Sequence, residues 1–171
     1  MKAVSKLGLF AYVLAAGVVV LDQASKFWIL HVFQLPLKVT VPVAGPFHLT
    51  MVWNRGVTFG LLNGLGEWSS LALAAVALAV VVALGVWLWR AESRLAAVAL
   101  GSIAGGAISN VIDRLRFGAV VDFIHAHLGD WSWYVFNVAD AAIVCGVVAL
   151  VLESLLPRGR SSAASEDATS R

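Results

Sequence analysis

Apolar residues run along this chain in four long blocks, each about as long as a bilayer crossing requires, which is about 20 residues. Residues 8–30 supply the first, interrupted by Asp22-Gln-Ala-Ser-Lys26. Residues 68–89, WSSLALAAVALAVVVALGVWLW, supply the second, with Glu67 before it and Arg90 after it to suit the helix dipole. The third begins near Leu95 and runs into Asn110, Asp113, Arg114 and Arg116; the fourth runs from Asn137 to Leu156 and is ended by Pro157. Lys2 and Lys6 before the first block resemble the start of a secretory signal. No small-x-small cleavage site follows the apolar run, so the block reads as a retained span. Arg90 to Arg94 is a very short connection, which makes the second and third spans antiparallel neighbours.

Between the first two blocks the helical pattern stops. Residues 33–66 hold Pro36, Pro42, Gly45, Pro46, Gly56, Gly60, Gly64 and Gly66. LKVTVPV and FHLTMVW carry the β-branched and aromatic residues of short strands, with Pro42 breaking the first. A small β-cradle outside the membrane is expected here. Residues 117–135 read as a second extramembrane connection, with Trp131 and Trp133 near its end. Trp68, Trp87 and Trp89 mark the two ends of the second span. Gly101-Ser-Ile-Ala-Gly105 is a small-xxx-small pattern that lets helices approach closely.

Composition agrees with the pattern. Apolar residues are 60% and charged residues 13% of 171, where a soluble domain has about 45–50% and about 25%. The fold class expected is an all-α membrane protein of four transmembrane helices with a small extracytoplasmic β-cradle. Residues 1–157 form one domain, and the polar tail 158–171 reads as disordered and cytoplasmic. With the N-terminus inside, seven basic residues (Lys2, Lys6, Arg90, Arg94, Arg158, Arg160, Arg171) fall on the cytoplasmic side. Four (Lys38, Arg55, Arg114, Arg116) fall outside. That bias places both termini in the cytoplasm. Basic residues spread this way are topology marks, not a nucleic-acid patch. The single cysteine, Cys145, allows no internal disulfide and no cysteine metal cluster, and reads as a packing residue.

Carboxylates close to a bilayer are costly and point to function. Four of the ten acidic residues, Asp113, Asp122, Asp130 and Asp140, lie between Gly101 and Ile143. Asp122 and Asp140 are the candidate catalytic pair. Two close carboxylates share a proton, one activating water and the other donating to the substrate. Spacing alone favours two separate polar groups at helix ends. Asn137 suits the N-cap of the fourth helix, which puts Asp140 in the first turn. Asp22 and Lys26 are four apart on one helix face, as an ion pair supporting a polar site. Asn54 and Gly56 fit a tight turn, or an amide presented to a peptide alongside Arg55. Asn110 and Arg114 share a face with Asp113, which on its own reads as a polar helix end.

At these residues the chain resembles the lipoprotein signal peptidases, the signal peptidase II family of bacterial membrane aspartic peptidases. The likeness covers nearly the whole chain. It is carried by Asp22-Gln-Ala-Ser-Lys26, Asn54-Arg-Gly56 with Phe59, Gly106-Ala-Ile-Ser-Asn110, Asp113-Arg-Leu-Arg-Phe-Gly-Ala-Val-Val-Asp122-Phe and Phe136-Asn-Val-Ala-Asp140. The resemblance implies catalysis by Asp122 and Asp140, with supporting or substrate-contacting roles for Asp22, Lys26, Asn54, Asn110, Arg114 and Asn137. Gly56 and Asp113 lie within its matched segments. It implies a diacylglyceryl-modified prolipoprotein as substrate, cut just before the lipidated cysteine, and inhibition by globomycin. It also implies the bacterial inner membrane, lipids as neighbours, no nucleic acid and no cofactor. Val57-Thr58 and Gly60 depart from the family's usual small residues and serine, which touches loop detail and not the acid pair.

Other chemistries fit less well. A metallopeptidase wants H-E-x-x-H, and the His125-x-His127 pair has no third ligand evident in sequence. Ser25 and Lys26 are adjacent on a helix and diverge, which disfavours a Ser–Lys peptidase. A small transporter using Asp22, Lys26 and Asp113 would place its charges at the midplane and usually carry an internal repeat, and none is seen.

Overall fold

The computed structural model describes residues 5–56, 68–89, 93–128 and 131–155. Val57, Thr58, Phe59, Gly60, Glu67, Arg90, Asp130, Pro157 and the tail 158–171 lie outside the described residues. Helix α1 (Lys6–Phe27) is capped by Ser5, whose Oγ accepts from Gly8 N–H at 2.9 Å. It continues into one wide π-helical turn, Trp28–Val32. A short helix α2 (Leu35–Lys38) leads to strands β1 (Thr40–Ala44) and β2 (Phe47–Asn54). Helices α3 (Trp68–Trp89) and α4 (Arg94–Phe117) follow, then strands β3 (Val120–Leu128) and β4 (Trp131–Ser132), then helix α5 (Val138–Leu155). Four helices are long and apolar enough to cross a membrane: α1 with its π turn, α3, α4 and α5. The protein is a multi-pass membrane protein with a small antiparallel sheet, as its sequence led us to expect.

Helix α4 is the axis of the bundle. Of its most apolar stretch 67% is buried, against 22%, 17% and 11% for the other spans. Glycine makes this possible. A Cβ on Gly101 would lie 2.7 Å from Ala11 O, and one on Gly105 2.5 Å from Ala15 O, both on α1. On another side of α4, a Cβ on Gly106 would lie 2.5 Å from Ala139 O, at the start of α5. With no hydrophobic driving force between helices in lipid, such close approach is how spans gain packing energy. Large side chains such as Val13, Val76, Val82 and Val148 instead face outward, into lipid. Cys145 is exposed on α5, so it is not the packing residue expected.

The connection after α4 is more ordered than expected. Residues 120–128 form a nine-residue strand, because their partners lie about seventy residues earlier, beyond reach of local pattern. The sheet order is β1-β2-β3-β4, all antiparallel. Ile29, Leu35, Val121 and Phe123 form a core between the sheet and the end of α1, with Val41, Leu49 and Met51 against it. The other face of the sheet carries His48, His125 and His127. His125 stacks on His127 with centroids 3.8 Å apart, and His48 meets His127 edge-on at 4.8 Å. Partial burial and the neighbouring imidazoles hold His125 below its ordinary pKa. Among the described residues no group of three or more His, Cys, Asp or Glu could hold a metal ion.

Candidate active site

Phe136 links β3 to the start of α5. Its carbonyl accepts from Phe123 and Ile124 N–H at 3.1 and 2.8 Å, and its N–H donates to Ile124 O at 2.9 Å. That clamp sets Asp122 of β3 beside Asn137. The two candidate acids therefore meet through a strand and a helix start, not through two antiparallel helices.

Asn137 caps α5. Its Oδ1 accepts from Asp140 N–H at 2.8 Å, and Asp140 Oδ2 accepts from Asn137 N–H at 3.2 Å. This is a reciprocal cap, with Asp140 at the third helical position, where the dipole favours a carboxylate. The remaining amide group of Asn137 is free for the other acid: Nδ2 donates to Asp122 Oδ1 at 2.7 Å. One asparagine thus joins both carboxylates. Asn54 Nδ2 donates to Asp122 Oδ2 at 2.9 Å, and Asn110 Nδ2 to Asp140 Oδ1 at 2.8 Å. Asn54 is itself fixed by accepting from Gly56 N–H at 2.9 Å, in a turn that holds Gly56 at φ +75°. All four carboxylate oxygens accept from amide N–H groups, and among the described residues neither acid forms an ion pair.

Asp122 is 1% exposed, while Asp140 is half-buried. Burial, and then the charge of Asp140, push the Asp122 carboxyl up to about 6, against the opposing pull of the Asn54 and Asn137 hydrogen bonds and of Lys26.

Beneath the pair lies a charged cluster. Lys26 Nζ is 2.6 Å from Asp22 Oδ2 and 2.7 Å from Asp113 Oδ2, with all three residues buried. Asp113 is therefore no simple polar helix end. Its Oδ2 accepts from Val121 N–H at 3.0 Å, and its Oδ1 from Gln23 Nε2 at 2.8 Å. Asp22 Oδ1 accepts from Ala139 N–H at 2.8 Å, and its Oδ2 from Ser109 Oγ at 2.7 Å. Lys26 also donates to Asn110 Oδ1 at 3.3 Å. Gln23 and Ser109 lie inside the quoted segments Asp22–Lys26 and Gly106–Asn110 but were given no role from sequence. Arg114 Nη1 donates to Asn110 O at 3.3 Å, and Arg114 stands within the fields of Asp140, Asp122 and Asp113. Every site residue named from sequence is brought to this end of the bundle.

Comparison with known proteins gives the lineage. A family model described as signal peptidase (SPase) II matches residues 14–156. The chain belongs to the signal peptidase II family. As a member it is a membrane peptidase. It is similar to the lipoprotein signal peptidase of Methylorubrum extorquens (strain PA1), 57% identical over 146 residues, covering 82% of each chain. It is also similar to that of Methylobacterium radiotolerans, 49% identical over 161 residues, covering 92% of this chain and 91% of the relative. A solved bacterial membrane enzyme matches with a TM-score of 0.72 at 26% identity, over 85% of this peptidase and 92% of that chain.

Proposed function

We propose that this peptidase removes the signal peptide from diacylglyceryl-modified prolipoproteins, cutting just before the lipidated cysteine, with Asp122 and Asp140 as its catalytic pair. The observation that carries the reading is the amide frame: two carboxylates, joined by Asn137, accept from amides at every oxygen and, among the described residues, form no ion pair. The substrate class follows from the relatives' name, lipoprotein signal peptidase.

In this reading Asp140 is ionised and Asp122 holds the proton. Asp140 takes a proton from a water, and the water oxygen adds to the carbonyl carbon preceding the cysteine. Asp122 gives its proton to the carbonyl oxygen as it becomes anionic, so a neutral gem-diol forms. Asp122 then recovers a proton from the diol. Asp140 passes its own to the cysteine nitrogen, and the C–N bond breaks. Asn54 and Asn110 hold the two carboxylates in place throughout.

The basic-residue bias supports an extracytoplasmic site, in the bacterial inner membrane, with both termini cytoplasmic. Acyl chains of the substrate would lie among the outward-facing apolar side chains of the spans, at about 0.8 kcal/mol per buried CH₂. Unlipidated precursor should therefore turn over poorly. Globomycin-type inhibitors are expected to compete for the same site. No cofactor enters the scheme.

The test is cleavage of a diacylated prolipoprotein by purified Asp122→Asn, Asp140→Asn and the double variant. Each single variant should lose about 10⁴-fold or more in kcat while remaining folded, and the double should lose little further. Near-normal turnover by either folded single variant would contradict the reading.

A further inference from the structure

We propose that the peptidase holds a phosphate group in a pocket beside its acid pair, between the start of α3 and the end of α4. The pocket has a volume of about 420 Å³ and is lined by Arg55, Ser69, Ser70, Arg114 and Phe117 among others. It goes beyond the proteolytic reading and does not rest on it.

Unmet hydrogen-bonding capacity marks the site. Ser70 is 4% exposed, and its Oγ has no partner. The Nε of Arg114 is buried and unpartnered as well. Among the described residues only one other buried side-chain polar atom shares that state, His48 Nδ1 on the sheet, so two of the three line this one pocket. A buried polar group left unpaired is costly, and a bound ligand is one way to relieve it.

The lining sets the ligand's chemistry. Two guanidiniums and the Ser70 hydroxyl supply donors, and no described lining residue is acidic. The pocket also receives the first turn of α3, a 22-residue helix, whose early N–H groups and dipole favour an anion. A tetrahedral phosphate offers several acceptor oxygens to such a fork-shaped donor set. Asp113, Asp122 and Asp140 already draw on Arg114, so Arg55 carries more of the anion's charge.

Position indicates the source. Trp68 opens α3 at 72% exposed, and Trp53 packs edge-on to Phe117 at 5.7 Å. Exposed tryptophans at the end of a span sit at headgroup level. A phospholipid phosphodiester is therefore the expected occupant, with a soluble phosphate as the other source of the same chemistry.

The test uses the full chain in neutral maltoside micelles, read by native mass spectrometry and by thermal melting. Three probes are added separately: phosphatidylglycerol, diacylglycerol with the same acyl chains, and inorganic phosphate. The protein should retain one phosphatidylglycerol, with diacylglycerol held about tenfold more weakly. Arg55→Gln should weaken phosphatidylglycerol about tenfold and Ser70→Ala about fivefold, each shrinking the lipid-induced rise in Tm. Without lipid, Ser70→Ala should melt no lower than the parent, since it deletes an unpaired hydroxyl. Displacement of the lipid by equimolar inorganic phosphate would assign the site to the soluble anion; failure to displace it would assign the lipid. Equal retention of diacylglycerol and phosphatidylglycerol, or unchanged lipid binding in both variants, would overturn the proposal.

Discussion

Two acidic pairs stand one above the other in this peptidase, and they are held in opposite ways. Asp22 and Asp113 share a buried ammonium, Lys26, at 2.6 and 2.7 Å. Among the described residues, Asp122 and Asp140 are hydrogen-bonded by amides and form no ion pair. A carboxylate paired to a buried cation is committed to that partner, and losing the partner is costly. A carboxylate held by amides is fixed in place without being tied to a cation. The lower pair also positions the upper one. Asp113 binds the N–H of Val121, and Asp22 binds the N–H of Ala139. Each lower acid thus grips the residue immediately before an upper acid. The lower cluster braces the strand end and helix start that carry the upper pair.

Removing the shared cation should break the arrangement most severely. Lys26→Met leaves two buried carboxylates facing each other without compensation. A loss of about 3–5 kcal/mol of stability is expected, in line with the cost of breaking buried ion pairs. Thermal melting in detergent would read it. A Lys26→Met protein as stable as the parent would mean the cluster is not holding the bundle.

The next largest effect falls on the joint between the acids. Asn137→Ala deletes the donor to Asp122 Oδ1 and the cap acceptor for Asp140 N–H together. A fall of about 100-fold in kcat is expected, the scale of a displaced catalytic group. Stability should drop by only about 1 kcal/mol for the lost cap.

The smallest effect concerns proton holding. With the Asp122 carboxyl raised to about 6, kcat/KM should fall as pH rises through that value, because the general acid is lost. The stability contribution has the same sign. The folded protein holds this proton more tightly than the unfolded chain, so the contribution is full below the ordinary value of 3.8 and is lost as pH rises through about 6. Asn54→Ala removes a donor that favours the ionised form, so the alkaline limb of kcat/KM should move to higher pH. A limb that stays put would mean that Asn54 holds the strand end and not the charge.

The spans were legible because lipid demands long apolar helices. Residues 68–89 came out as read, and the first span runs to Val32 by way of its π turn. The first two strands were legible from β-branched residues between Pro and Gly. Asn137 was legible as a cap because a cap is a local device. Strand β3 was not, because Val120–Leu128 pairs with Phe47–Asn54, a partner that local pattern cannot reveal. The partner of Asp113 was hidden for the same reason: its cation is 87 positions back along the chain, on α1. The family likeness supplied the acid pair, and geometry added how amides hold it.

The most direct test sets one acid from each pair side by side. Asp122→Asn and Asp113→Asn are purified in the same detergent, and each is measured for Tm and for cleavage per folded molecule. Asp122→Asn should keep its Tm and lose cleavage by about 10⁴-fold, while Asp113→Asn should melt lower and keep most of its cleavage. The reverse pattern, or loss of both properties by both variants, would contradict the division between a pair that builds and a pair that reacts.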